Sequence, residues 1–176
     1  MAAVAFVAQF LAMGVTFSII GNLVGPISRE FGVSRASVGV APGVSILIMG
    51  IAGPFVGRFL DRGWARRMMT AGSMLTGIGL ILASYSNAMW QLAVVFVFVI
   101  CVGVAMFGML PSMSLVTNWF EHRRGLALGI AVAGATVASW VAPALAQWII
   151  DDSDWRNALL YFGIATCLIS LPGFGT

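Results

Sequence analysis

The sequence contains no lysine, one histidine, two cysteines and few charges of either sign, nine arginines against six acids. Charged residues are 9% of the 176 positions, against about 25% in an ordinary soluble domain. The lone His122 lies between Glu121 and Arg123, so no multi-histidine metal centre or histidine-based triad can be built. Cys101 and Cys167 stand isolated in apolar surroundings and read as small apolar residues. No phosphate-cradling glycine loop is present, which argues against direct coupling to ATP. No catalytic residue, cofactor or metal is expected, and the chain does not read as an enzyme. The net charge of +3 would suit nucleic acid, but the apolar runs leave no polar face for it and none is expected as a partner.

What the sequence has is uncharged length. Met1–Ser28, Ala36–Gly57, Met68–Phe120, Gly125–Ile150 and Asn157–Thr176 lack Asp, Glu, Lys and Arg altogether. A helix crossing the hydrocarbon needs about 20 apolar residues. Four of these runs fit one crossing each. The run from Met68 is long enough for two, with "SYSNAMWQ" at 84–91 supplying a turn and an interfacial Trp90. The pattern predicts helices at 3–26, 37–58, 68–86, 90–115, 124–149 and 157–173. Stretches such as "VVFVFVICVGV" lack the period-two alternation of a membrane barrel, and no polar face exists to meet water around a soluble core. The expected fold is an all-α, six-helix transmembrane bundle in a lipid bilayer.

Arginine placement orients it. With six crossings, Arg58, Arg62, Arg66, Arg67, Arg123 and Arg124 share one side, and Arg29, Arg35 and Arg156 the other. The richer side is expected to be cytoplasmic, which puts both termini there as well. A bacterial inner membrane is the expected location.

The densest cluster is "GRFLDRGWARR", residues 57–67. Topology alone would explain its arginines. It does not explain Asp61, because acids contribute little to orientation. The stretch resembles the G-x-x-x-D-R-x-G-x-[RK]-[RK] loop between helices 2 and 3 of the major facilitator superfamily, with Gly57, Asp61, Arg62, Arg66 and Arg67 in register. Trp64 stands where that pattern has glycine, and Gly63 sits one place early. "NWFEHRRGLALGIAVAGA" (118–135) and "DWRNALLYFGI" (154–164) resemble the helix 4–5 junction and the helix 6 entry of the monocarboxylate-transporter and oxalate/formate-antiporter branches.

The resemblance implies the N-terminal half of a twelve-helix transporter that moves a small solute by alternating access. A monocarboxylate or another organic anion is the solute class it implies. It also implies a cytoplasmic gate at this loop, where Asp61 meets a helix N-terminus or an arginine of the other half when the inside is closed. Glu121 could pair with Arg62 or Arg66 across the two cytoplasmic loops, or be a solvated charge, and Arg123 and Arg124 complete the cluster. Partners would be the small-molecule substrate and a missing six-helix half or a second copy. Since no charged residue falls inside a predicted crossing, apart from Arg58 and Arg124 at the very ends of theirs, a carboxylate's counter-charge would belong to that other half. The alternative from another class is a non-transporting six-helix scaffold or assembly partner.

Cavity-facing candidates are Gln9, Met13 and Thr16 on one face of helix 1, Ser112 and Ser114 on helix 4, and Thr136 with Ser139 on helix 5. Their hydroxyls could equally bond back to their own helices or link neighbours. The four-apart glycines Gly21/Gly25, Gly39/Gly43, Gly53/Gly57 and Gly125/Gly129 are expected at close helix crossings, together with Gly134. Pro42, Pro54, Pro111 and Pro143 should bend their helices.

Overall fold

A computed structural model describes residues 2–108, 111–114 and 124–175, with side chains described except at 2–5, 15–20, 41, 124, 127 and 171–175. The described residues are helical apart from short turns. Helix α1 spans 2–30 and is regular at Ala2–Gln9 and Ile19–Glu30, with a π-helical stretch at Phe10–Ser18 between them. Helix α2 is Arg35–Asp61, α3 Ala65–Ser84, α5 Arg124–Asp152 and α6 Trp155–Gly175. Helix α4 runs from Met89–Val94 through a π-helical Val95–Ile100 to Cys101–Phe107, and helix resumes at 111–114. Three stretches, Arg35–Asp61, Met89–Ser114 and Leu128–Asp152, are each long and apolar enough to cross a membrane.

The helix starts follow from local chemistry. Ser34 is extended and its hydroxyl accepts the Ser37 N–H at 3.1 Å, an N-cap that lets α2 begin at Arg35. Asp154 does the same for α6: its carbonyl accepts from Asn157 and Ala158, and its carboxylate from the Trp155 N–H at 2.8 Å. In both cases the helix starts two residues before the predicted position, 37 or 157, because the cap and not the last charge sets the boundary.

Packing is organised in two seams. In the first, α3 lies between α4 and α6. Gly77 and Gly163 face each other so closely that a Cβ added to either would stand 2.9 Å from the other's carbonyl oxygen. Gly72 and Gly103 make the equivalent crossing with α4, at 2.7 and 2.8 Å from each other's carbonyls. Gly79 presses on Ile100 in the same interface. Thr76, fully buried there, donates to Gly72 O at 3.0 Å and to Ile100 O at 3.4 Å. In the second seam α1 lies on a buried stripe of small residues along α5: Ala131, Gly134, Ala138, Ala142 and Ala146. A Cβ on Gly134 would strike the Phe6 carbonyl, and one on Gly14 would strike Ala138. Higher up, Asn22 Nδ2 donates to Pro143 O at 2.7 Å, tying α1 to α5 beside the proline.

Helix α2 is peripheral. Among its described side chains the buried ones are Val38, Ser45 and Val56, while Val40, Ile46, Leu47, Ile51 and Phe55 are exposed. Ser45 is held by a side-chain hydrogen bond with the Cys101 thiol on α4. Exposed apolar surface of this extent suits a lipid-facing or partner-facing helix. On α5, Trp140 and Trp148 project outward in the same way.

The expectation about glycine spacing is corrected here. Among the described residues, a Cβ added at Gly21, Gly25, Gly39, Gly43, Gly57, Gly125 or Gly129 meets nothing within 4 Å, and Gly53 is half-buried. Of the packing candidates, Gly134 does lie at a close crossing. Close approach needs small residues on both helices at one height, and four-residue spacing along a single helix does not supply that. Gly134→Ala should therefore destabilise the chain by about 1–3 kcal/mol, the usual range for overpacking. Gly129→Ala should be neutral or stabilising by roughly 0.5–1 kcal/mol, from helix propensity alone. Thermal unfolding of the two variants in detergent separates them; equal melting temperatures would refute the assignment of the α1–α5 seam.

Candidate functional site

The charge cluster at 57–67 forms the turn between α2 and α3, and its backbone is a closed helix terminus. Gly63 has φ of +77°. Its N–H bonds Leu60 O at 2.9 Å, and the Trp64 N–H reaches Phe59 O at 3.4 Å. These are the paired bonds of a Schellman motif, with Gly63 at the left-handed position and Trp64 just after it. That motif favours an apolar contact between the residue after the glycine and the last turn of the helix. Here it is Trp64 on Phe59, ring centroids 6.3 Å apart. The shift of glycine from position eight to seven is thus structural: Gly63 supplies the left-handed turn and Trp64 packs it shut.

The rings also carry the cations. The Arg62 guanidinium lies 5.8 Å from the Phe59 ring centre and that of Arg67 5.8 Å from Trp64, within cation–π range. Thr70 donates to the Arg67 carbonyl at 2.9 Å and the Arg66 carbonyl at 3.3 Å. Asp61 is exposed and makes no ion pair with a described residue.

The signs of these charges oppose the helices that bear them. Asp61 is the last residue of α2, where the helix dipole favours cations. Arg66 and Arg67 sit in the first turn of α3, where it favours anions. Arg58 alone in the last turn of α2 has the favourable sign. Local helix stability therefore accounts for Arg58 and for Arg62, the C-cap of α2, but not for Asp61, Arg66 and Arg67.

The other candidates fall out as follows. Gly57 lies half-buried on α2 with open space around it. Glu121 and Arg123 lie outside the described residues, as does the Arg124 side chain. Ser112 is fully buried and donates to Gly108 O at 2.7 Å and Phe107 O at 3.2 Å. Thr136 and Ser139 are exposed and bond back to Val132 O at 3.4 Å and Ala135 O at 2.9 Å. For these three, back-bonding to the own helix is what the structure supports. Met13 and Ser114 are half-buried and each has a contact, and the Thr16 side chain lies outside the described residues. Gln9 is buried at 2% exposure, and its Oε1 has no hydrogen-bond partner among the described residues. It stands at the boundary between the regular start of α1 and the π-helical stretch, a backbone irregularity frequent at functional sites.

Sequence reasoning missed a second polar cluster, at the opposite end of the bundle. Glu30 Oε1 pairs with Arg156 Nη2 at 2.7 Å, and its Oε2 accepts the Trp155 indole N–H. Arg156 Nη1 also donates to Ser84 O at 3.2 Å, and its guanidinium stacks over Trp155 at 4.9 Å. The hydrogen bond from Arg156 holds the Glu30 carboxyl below the usual glutamate range. Burial works against this, and the indole bond and the arginine's charge add to it. Nothing in the sequence distinguished Arg156 from Arg29 and Arg35 as the paired cation.

Gly63→Ala should cost about 1–2 kcal/mol, because the left-handed backbone carries that penalty for a residue with a Cβ although the space is open. The apparent melting temperature should fall by about 2–8 °C. An unchanged melting temperature would show that the turn relaxes to another conformation at no cost.

Comparison with known proteins agrees with this architecture. The family model of the Major Facilitator Superfamily matches residues 5–174. An MFS-type transporter of Gibberella moniliformis is 37% identical over 117 residues, 66% of this chain and 28% of that protein. Monocarboxylate transporter 1 of Mus musculus is 31% identical over 139 residues, 76% of this chain and 27% of the relative. Monocarboxylate transporter 2 of Mus musculus is 27% identical over 94% of this chain and 36% of its own length. The chain thus spans roughly a third or less of the curated relatives it matches. An all-α membrane bundle, the arginine-rich turn after α2 and a family match over nearly the whole length lead to one conclusion: the chain belongs to the Major Facilitator Superfamily.

Proposed function

We propose that the chain is one half of a transporter that carries a small organic anion, of the monocarboxylate class, across a membrane by alternating access. The observation that carries this reading is the α2–α3 turn, where Asp61, Arg66 and Arg67 oppose their own helix dipoles. Charges so placed are stabilised by groups from elsewhere. A contact made in one access state and broken in the other would bias the equilibrium between them. The solute class is supported by the named monocarboxylate transporters among the relatives.

The six helical stretches are then six crossings, with the α2–α3 turn and both termini in the cytoplasm and the α5–α6 turn outside. The relatives named above are fungal and mammalian, so the reading makes no assignment to a bacterial inner membrane. A second six-helix half, from the same protein or a second copy, supplies the partner for Asp61 and the cation for the carboxylate. The exposed faces of α2 and α5 offer it apolar and small-residue surface.

Topology has a direct test. Cysteines at Trp64 and His122 should react with a membrane-impermeant maleimide only from the cytoplasmic side, and one at Ser153 only from outside. Reaction of Ser153 from the inside would refute the six-crossing reading.

The gate is tested in a protein that carries both halves. Asp61→Asn keeps the size of the side chain and removes its charge, so the inward-closed state should lose population by about 5- to 150-fold, the range of ordinary coupling energies. Solute uptake should drop sharply with membrane insertion intact, and a cysteine at Ser114 should become more reactive from the cytoplasm. Arg66→Ala should act in the same direction but more weakly, since Arg67 stands beside it. Wild-type uptake and unaltered reactivity in Asp61→Asn would leave the cluster as a topology signal alone.

A further inference from the structure

Glu30, Trp155 and Arg156 join parts of the chain more than 120 positions apart, and no member is placed for the benefit of its own helix. Glu30 is the last residue of a helix, where its sign is unfavourable. Arg156 is the second residue of another, with the opposite mismatch. Trp155 is buried to 2% exposure, so its indole N–H needs an acceptor, and the acceptor comes from α1. Arg156 also takes the Ser84 carbonyl, one of the C-terminal carbonyls of α3 that have no partner within the helix. The Phe31 ring meets Trp155 edge-on at 6.4 Å. One carboxylate thereby joins the α1–α5 seam to the α3–α6 seam at the outer edge of the bundle.

We propose that this cluster is a charge-dependent clasp: the carboxylate of Glu30 holds the outer end of α1 against α3 and α6, and neutralising it frees that end to move. The two bonds from neighbouring residues converge on one group, so loss of its charge weakens both at once. Other charged groups around it are Arg29 on α1, Arg35 at the start of α2, Asp151 and Asp152 at the end of α5, and Asp154 before α6. Asp151 is engaged by Gln147 and Asp154 by the Trp155 N–H; α3 contributes no charge at this end. Among the described residues Arg156 is the cation within ion-pair distance of Glu30. Because the Glu30 carboxyl is held below its ordinary range, the clasp is fully closed above about pH 4.5. It opens as pH falls through the lowered value. It is accordingly insensitive to mild acidity, and Glu30→Gln is the way to open it at neutral pH.

The experiment uses the 176-residue chain in detergent with two probes. The first is the Trp155 indole N–H resonance, assigned by its loss in Trp155→Phe. The second is the spin-label distance between cysteines at Arg29 on α1 and Asn87 just after α3, both exposed, with Cys101 and Cys167 replaced by alanine. In the unsubstituted clasp the resonance should lie downfield and the distance distribution should be narrow. Glu30→Gln should move the resonance upfield and broaden the distribution. The open-to-closed ratio should rise by on the order of 10-fold or more, as expected for lost hydrogen bonds to a charged group. If Glu30→Gln does not fold, the wild-type chain is acidified stepwise instead, and both probes should change together as the Glu30 carboxyl takes up its proton, below the ordinary glutamate range. A resonance or a distance distribution that stays fixed in Glu30→Gln, or through protonation of the Glu30 carboxyl, overturns the clasp and leaves apolar packing as what holds α1 in place.

Discussion

The bundle depends on backbone approaching backbone with no side chain between. In lipid there is little hydrophobic drive to bring helices together, so contact and polar links must do it. Gly77 against Gly163 and Gly72 against Gly103 let α6 and α4 close on α3 from either side. Thr76 then reaches the Ile100 carbonyl at the end of the π-helical stretch of α4. A widened turn exposes carbonyls, and a neighbouring hydroxyl is the kind of group that makes such irregular backbone tolerable at membrane depth. The seam and the irregular turn are therefore coupled: without glycine at 72 and 103, Thr76 could not come within reach.

The second seam uses the same physics with different residues. Along α5 the buried stripe is mostly alanine, and the close approach at its centre is provided by Gly14 on α1 meeting Ala138. Asn22 adds a hydrogen bond to the Pro143 carbonyl, where proline has removed one backbone donor and loosened the helix. Helix α2 has neither device over most of its length, which is why its apolar face stays open.

Composition made the class of this protein legible, and the uncharged runs made most of the helical stretches legible, because both depend on the solvent around each residue and not on which residue lies opposite. Which glycines pack was not legible. Gly129 and Gly134 are five residues apart on one helix, and only the position of Phe6 on α1 tells them apart. The charged turn was legible from its motif, and its displaced glycine became intelligible once the left-handed backbone at Gly63 and the Trp64–Phe59 contact were seen. The Glu30–Arg156 pair was not legible, since pairing across such a sequence distance is a property of the fold and leaves no local spacing to read.

The two ends of the bundle differ in how their charges are used. At the end away from the arginine-rich turn Glu30, mismatched to its own helix, finds both partners within the chain. At the arginine-rich end Asp61 is mismatched in the same way and finds no ion-pair partner among the described residues. Dipole mismatch at Glu30 is offset by a tertiary contact, whereas the same mismatch at Asp61 has no such ion pair among the described residues. The Glu30 end is thus tied across helices by its charges, while at the charged turn, closed by its Schellman bonds and the Trp64 ring, Asp61, Arg62, Arg66 and Arg67 stay exposed.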